Sequence, residues 1–198
     1  MGELRARSRF AQPTVQSKPS TSIASLEGAL KQTSLDETTI ELPAVRSSDS
    51  ALSAFHVLDD DEDVVLFTPA IRSSSSQIMD PFEPLGRALS KHHVRVRHVP
   101  YVPKHGMTET HAAFLEHAGA AVVVLCDVPP SSKVAAELYK QQHAFARAVG
   151  QMSDEIPMLV VLVSESSHSS STLEFGTVLH VASFSPSALR GIAQSIFH

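Results

Sequence analysis

The sequence predicts a three-layer α/β domain: an open sheet of about five mainly parallel strands with helices on both faces, preceded by a disordered N-terminal tail. Three observations predict it. From Val64 onward, short apolar runs alternate with segments of helical period. The runs Val64–Phe67, Ala120–Cys126 and Met158–Val163 are apolar throughout, as strands covered on both faces must be. The chain between successive runs is long enough for a helical crossover, which makes right-handed βαβ units and parallel pairing.

The elements follow in order. Residues 1–62 form a low-complexity, mostly disordered tail. They are rich in Ser, Thr, Gln and Pro with scattered apolar residues, too few to offset the entropy of ordering. Within the tail, Ile23, Leu26, Ala29 and Leu30 share one face of a marginal helix over Ser22–Lys31, and the acids Asp59–Asp63 close it as a solvated hinge. Residues 63–198 form the α/β domain. Val64–Phe67 is its first strand. Pro81–His92 reads as a helix, with Phe82, Leu85 and Leu89 at helical spacing and a proline suited to the first turn.

Val94–Val99 alternates apolar and basic residues, which predicts a half-exposed strand near a sheet edge. Thr108 or Thr110 caps a helix running through His111, Phe114, Leu115 and Ala118 to Gly119. Ala120–Cys126 is the next buried strand. Ser131 or Ser132 opens the longest helix, with Val134, Leu138, Phe145 and Val149 on one stripe and Gly150 near its end. Met158–Val163 and His180–Phe184 complete the strands, and 164–177 is too polar for a regular helix. Ser185-Pro186 opens a last helix with Leu189, Ile192, Ala193 and Ile196 inward. This alternation is flavodoxin-like or Rossmann-like.

Composition excludes several classes. Hydrophobic residues make up 42% of the chain and charged residues 19%, enough to build a core. A formal net charge of −5 argues against a nucleic-acid binder, which needs a basic surface to neutralise phosphates. The basic N-terminus lacks the apolar stretch of a secretory signal, and no run approaches membrane-spanning length. The expectation is therefore a cytoplasmic protein with neither nucleic acid nor membrane as partner. Cys126, the only cysteine, permits no disulfide within the chain.

In open parallel sheets, ligands bind outside the carboxyl ends of the strands. The first such loop holds Ser73, Ser74, Ser75 and Ser76, hydroxyls of the kind that cradle a flavin or nucleotide phosphate in flavodoxins. The loop has no glycine to let backbone approach the phosphate closely, and the chain has no GxGxxG or Walker-type motif. Cys126 reads as a small buried residue of a valine-rich strand. His92, His93, His98, His105, His111 and His117 crowd into 26 residues, but His111 and His117 are six apart and fall on different helical faces. They read as solvated histidines, and no metal ligand is expected. Asp127, Glu165 and Glu174 are carboxylates with nothing to fix their separation, so no paired-acid chemistry follows. The candidate ligand-binding residues are Ser73–Ser76, Asp127, Glu165 and His168. No catalytic residue and no resident cofactor are expected.

The blocks PFEPLGRALSKHHVRVRHVPY, THAAFLEHAGAAVVVLCDV, PMLVVLVSES and HVASFSPSALRGIAQSIFH together resemble the C-terminal α/β domain of glycoside hydrolase family three, in its fungal β-N-acetylglucosaminidase-like branch. The last block resembles that domain's usual ending most closely, and the likeness spans about residues 63–198. In that family a separate barrel carries the nucleophile and, in this branch, the acid/base residues. No barrel fits in the 62 residues that precede the likeness. The resemblance therefore implies a stand-alone, catalytically incomplete relative of an accessory domain. Such a domain acts as a protein-interaction or amino-sugar-binding module, its protein partner being a hydrolase barrel or a second copy of itself. Where relatives often carry an Arg/Asn-Pro-Tyr-Asp-like stretch, this chain has Ser164-Glu165-Ser166-Ser167-His168. Two alternatives stand beside this one: a flavodoxin-like flavin or nucleotide carrier, and a fragment of a full-length β-N-acetylglucosaminidase.

Overall fold

The computed structural model describes residues 44–46, 49–71, 80–126, 133–153, 155–164 and 174–198. All lie within one compact unit, Thr39–His198. The proposed helix at 22–31 falls outside the described residues.

Among the described residues, six strands form one sheet: β1 (Ala44–Arg46), β2 (Asp63–Pro69), β3 (Val96–Tyr101), β4 (Ala118–Cys126), β5 (Met158–Val163) and β6 (Val178–Val181). Five helices accompany them: α1 (Asp49–Phe55), α2 (Glu83–Leu89), α3 (Glu109–Glu116), α4 (Lys133–Met152) and α5 (Pro186–Phe197). Across the sheet the order is β1-β6-β5-β4-β2-β3. The strands β2 to β6 pair in parallel, and β1 lies antiparallel on β6. Counting only the parallel strands from first to fifth, the order is 2-1-3-4-5, the flavodoxin arrangement.

Alternation within the apolar runs divides the interior into two cores. Val64, Leu66, Val122, Val124 and Val161 face one side, under α1, α2 and α5. Val65, Phe67, Val123, Leu125 and Val160 face the other, under α3 and α4. Because both faces are covered, neither position of the alternation can be polar. That is why these strands read as continuous apolar runs. β3, at the edge, is half-exposed as expected but runs two residues later than Val94–Val99, burying only Val99 and Tyr101 and leaving Val94 outside the strand.

The domain begins earlier than the expected boundary at 62/63. The apolar residues upstream are sparse, but Phe55 is 1% exposed and meets Phe197 of α5 edge-on at 6.2 Å. Phe55, with Leu52 and Leu58 packed beside it, seats α1 over the first core. β1 then pairs Val45 with Leu179 and covers the edge of β6.

Three smaller expectations are also corrected. β4 starts at Ala118, so Gly119 is a strand residue and not a helix end. A Cβ there would fall 2.6 Å from the Glu62 side chain, and only glycine lets the two segments approach. Val134 is 77% exposed, and α4 instead buries Gln142, His143, Phe145, Ala146 and Val149. Twenty residues of helix extend about 30 Å while the six residues of β5 extend about 20 Å, so α4 overhangs the sheet. The last strand is Val178–Val181, earlier than His180–Phe184. α5 matches its expectation: Ser185 caps it by accepting from the Ala188 amide at 3.2 Å, Pro186 opens it, and Leu189, Ile192, Ala193 and Ile196 are buried.

Phe55→Ala should lower the unfolding free energy by about 3–5 kcal/mol, the usual cost of emptying an aromatic site in a core. Urea denaturation measures it. An unchanged midpoint would return residues 49–55 to the tail.

Candidate functional site

The strand order reverses between β2 and β4, so the crevice for a ligand lies outside Pro69 and Cys126. The sequence-derived candidates Ser73, Ser74, Ser75, Ser76, Asp127, Glu165 and His168 all fall outside the described residues. What the structure describes is the rim from which their segments depart, and this rim is densely hydrogen-bonded.

On the α2 side, Thr68 near the end of β2 is 1% exposed, and its Oγ1 lies 2.7 Å from Nε2 of His98 on β3. Nδ1 of His98 faces an Asp80 carboxylate oxygen at 3.6 Å, an electrostatic contact too long for a hydrogen bond. Carboxylate, imidazole and hydroxyl thus stand in sequence, an order that activates hydroxyl nucleophiles in other proteins. Here the hydroxyl is enclosed, so the chain ties β2 to β3 and to the start of α2. Asp80 also receives the Phe82 amide at 2.9 Å.

At the crevice itself, Gln142 of α4 is fully buried and grips the end of β4. Its Oε1 accepts from the Cys126 amide at 2.8 Å, and its Nε2 donates to the Cys126 carbonyl at 3.1 Å. This amide clamp satisfies both backbone groups at the point where the sheet stops supplying partners. Burial pushes the Cys126 thiol far above its ordinary range, so it is no nucleophile, in keeping with its reading as a packing residue. Tyr101, at the end of β3, donates to the Val124 carbonyl at 2.9 Å and stacks flat on Phe145 at 3.8 Å.

On the α4 side, Nδ1 of His143 lies 3.1 Å from Glu174, and Arg147 reaches the other carboxylate oxygen at 3.3 Å. Partial burial pushes the Glu174 carboxyl up, but the His143 hydrogen bond and the charge of Arg147 outweigh it and hold it below the usual range. Nε2 of His143 is buried without a hydrogen-bond partner, which costs about 1–3 kcal/mol. Near β6, a ring nitrogen of His180 lies 3.0 Å from the Ser164 carbonyl, and the Ser164 amide donates to Val181.

Of the six clustered histidines, His92, His98, His105 and His117 are exposed as expected, and two depart from the expectation. His93 and His111 are buried because each satisfies a backbone group. Nε2 of His93 meets the Glu62 carbonyl at 2.7 Å. Nδ1 of His111 accepts the Thr108 amide at 3.1 Å, completing the cap of α3 that Thr108 was expected to supply. Among the described residues, no group of three His, Cys, Asp or Glu side chains is placed to hold a metal ion, and no helix is long and apolar enough to cross a membrane.

No family model matches the sequence, and no curated protein matches it. Solved structures do. A region of a fungal multi-domain family three β-N-acetylglucosaminidase, described as containing a GCN5-related glucosamine N-acetyltransferase region, superposes with a TM-score of 0.60 at 14% identity. The match covers 89% of this chain and 19% of that one. A family three β-N-acetylglucosaminidase from Paenibacillus sp. str. FPU-7 gives a TM-score of 0.52 at 20% identity, over 72% of this chain and 26% of that one. A β-glucosidase from Listeria innocua gives 0.50 at 15%, over 79% and 23%. The resemblance drawn from the sequence therefore holds for the fold. The chain spans about a fifth to a quarter of the length of these enzymes.

Two outcomes test the rim. Gln142→Ala strands a buried amide and a buried carbonyl and should cost about 2 kcal/mol or more in chemical denaturation. Because the Glu174 carboxyl is depressed, its stabilising effect is complete above the ordinary value of 4.5 and is lost as pH falls through the lowered one. Glu174→Gln should therefore flatten the acid limb of a melting-temperature profile between about pH 6 and 3. An unaltered limb contradicts the assignment.

Proposed function

We propose that this chain is a non-catalytic accessory module of the family three glycoside hydrolase type, which presents the carboxyl edge of its sheet to a protein partner and to an amino sugar. The observation that carries the reading is a fold match over 89% of the chain to a region of a fungal β-N-acetylglucosaminidase. The rim supports it. Thr68, Cys126, Gln142 and Tyr101 are buried, with their polar groups turned inward, a rigid base from which binding segments project. Reaction chemistry belongs to a barrel of the family's kind, the natural protein partner. A cytoplasmic setting and a role in carbohydrate metabolism belong to the same proposal; a lone buried thiol suits a reducing compartment.

A second reading rests on the strand order, which is that of flavodoxin. In it, the segment holding Ser73–Ser76 takes a flavin or nucleotide phosphate.

A thermal-shift screen separates the two. A ligand at about 100 times its dissociation constant stabilises by roughly 2.7 kcal/mol. N-acetylglucosamine or chito-oligosaccharides should raise the melting temperature, while the chain alone leaves an aryl β-N-acetylglucosaminide unhydrolysed. A shift with flavin mononucleotide and none with sugars would overturn the first reading in favour of the second.

A further inference from the structure

The face that α2 and α5 turn to solvent carries a different surface, reaching from the start of α2 to the turn at Lys91 that leads toward the beginning of β3. Between the two helices runs a groove of about 390 Å³ lined by Glu83, Pro84, Arg87, Ala88, Lys91 and Arg190. Glu83 is taken by Arg87, whose Nη2 lies 2.6 Å from its carboxylate. Among the described residues, Lys91 and Arg190 have no ion pair. Two uncompensated cations thus share one groove in a chain of net charge −5. Burial first, then the charges of His198 and Lys91, hold His92 below the ordinary histidine range.

The acidic run lies toward the Lys91 end of that groove. Lys91 is followed by His92 and His93, and the His93 ring meets the Glu62 carbonyl. Within the run, Asp63 is occupied by Arg95 and Arg97, and Glu62 accepts the Asp59 amide at 2.9 Å. Asp59, Asp60 and Asp61 are exposed, and none has a salt bridge among the described residues. Two apolar side chains flank the run and the turn: Val57 is 77% exposed and Val94 is 76% exposed.

We propose that this end is a homodimer interface. A second copy, related by a twofold axis, sets its Asp59–Asp60 carboxylates against Lys91 and Arg190 of the first and receives the first copy's acids in its own groove. Val57 and Val94 of the two copies meet between the charged contacts. A second copy is favoured over an unrelated partner because acid and base adjoin on one surface, and a twofold rotation opposes each to the other's complement. That self-complementarity is what an isologous contact requires. The charges set register and approach, while the valines supply the part that excludes water. Lys91 and the acidic run lie toward the strand beginnings, away from the carboxyl ends, so failure of the dimer leaves the accessory-module reading untouched.

Sedimentation velocity on the full chain, over a range of concentration and salt, tests it. A reversible dimer should form at low salt and weaken as salt screens the pairs. Lys91→Glu and Asp60→Lys should each weaken it about tenfold or more. The double variant K91E/D60K restores opposite charges across the twofold and should recover most of the loss. Circular dichroism checks that the exposed substitutions leave the fold intact. A monomer throughout overturns the proposal, as does a dimer indifferent to both reversals or a double variant no better than the singles.

Discussion

Everything in this structure depends on covering both faces of the central strands β2, β4 and β5. Each is apolar at almost every position, so each demands a helix layer above and below. Burying one such Val or Leu side chain stabilises by about 1.5–3 kcal/mol, and these strands supply twelve in two cores. The layer of α1, α2 and α5 and the layer of α3 and α4 answer that demand. The recruitment of residues upstream of 62 answers it too: α1 completes the cover over the first core, and β1 shields the edge of β6.

Where the sheet ends, the demand changes from apolar cover to polar satisfaction. Backbone groups at the carboxyl ends of the strands lose their ladder partners but remain buried under α4 and the aromatic layer. Gln142, Tyr101 and His180 supply replacements from side chains. None of these contacts needs a reacting substrate to explain it. The two acid–histidine pairs, Asp80–His98 and Glu174–His143, therefore read as struts of the rim, the second retained despite an unpartnered ring nitrogen. Struts of this kind suit a module that positions binding segments and leaves chemistry to another domain.

Much of the fold was legible because two-sided burial writes itself as uninterrupted apolar runs. The cap Ser185-Pro186 and the half-exposed edge strand were equally plain, since each is a local pattern. The helix carrying Phe55 was harder to read: Ala51, Ala54, Phe55 and Leu58 stand at helical spacing, but so short a period is easily lost against the polar composition upstream of it. The rim was not legible either. His98 and Thr68 are 30 residues apart, and His143 and Glu174 are 31 apart; only strand register and helix placement bring them together. Val134 misled because it shares the stripe of α4 without sharing its cover, the helix being longer than the sheet is deep. The loop residues named from the sequence lie outside the described residues, and their roles rest on the proposal that the carboxyl edge binds.

Amide hydrogen exchange by mass spectrometry, with and without chito-oligosaccharide, tests that central claim most directly. The account predicts slowest exchange in β2, β4, β5 and α1, unchanged by ligand. It also predicts ligand-dependent slowing confined to peptides spanning 72–79, 127–132 and 165–173, the segments that leave the carboxyl edge. Slowing at the α2–α5 face, or none at saturating sugar, would contradict it.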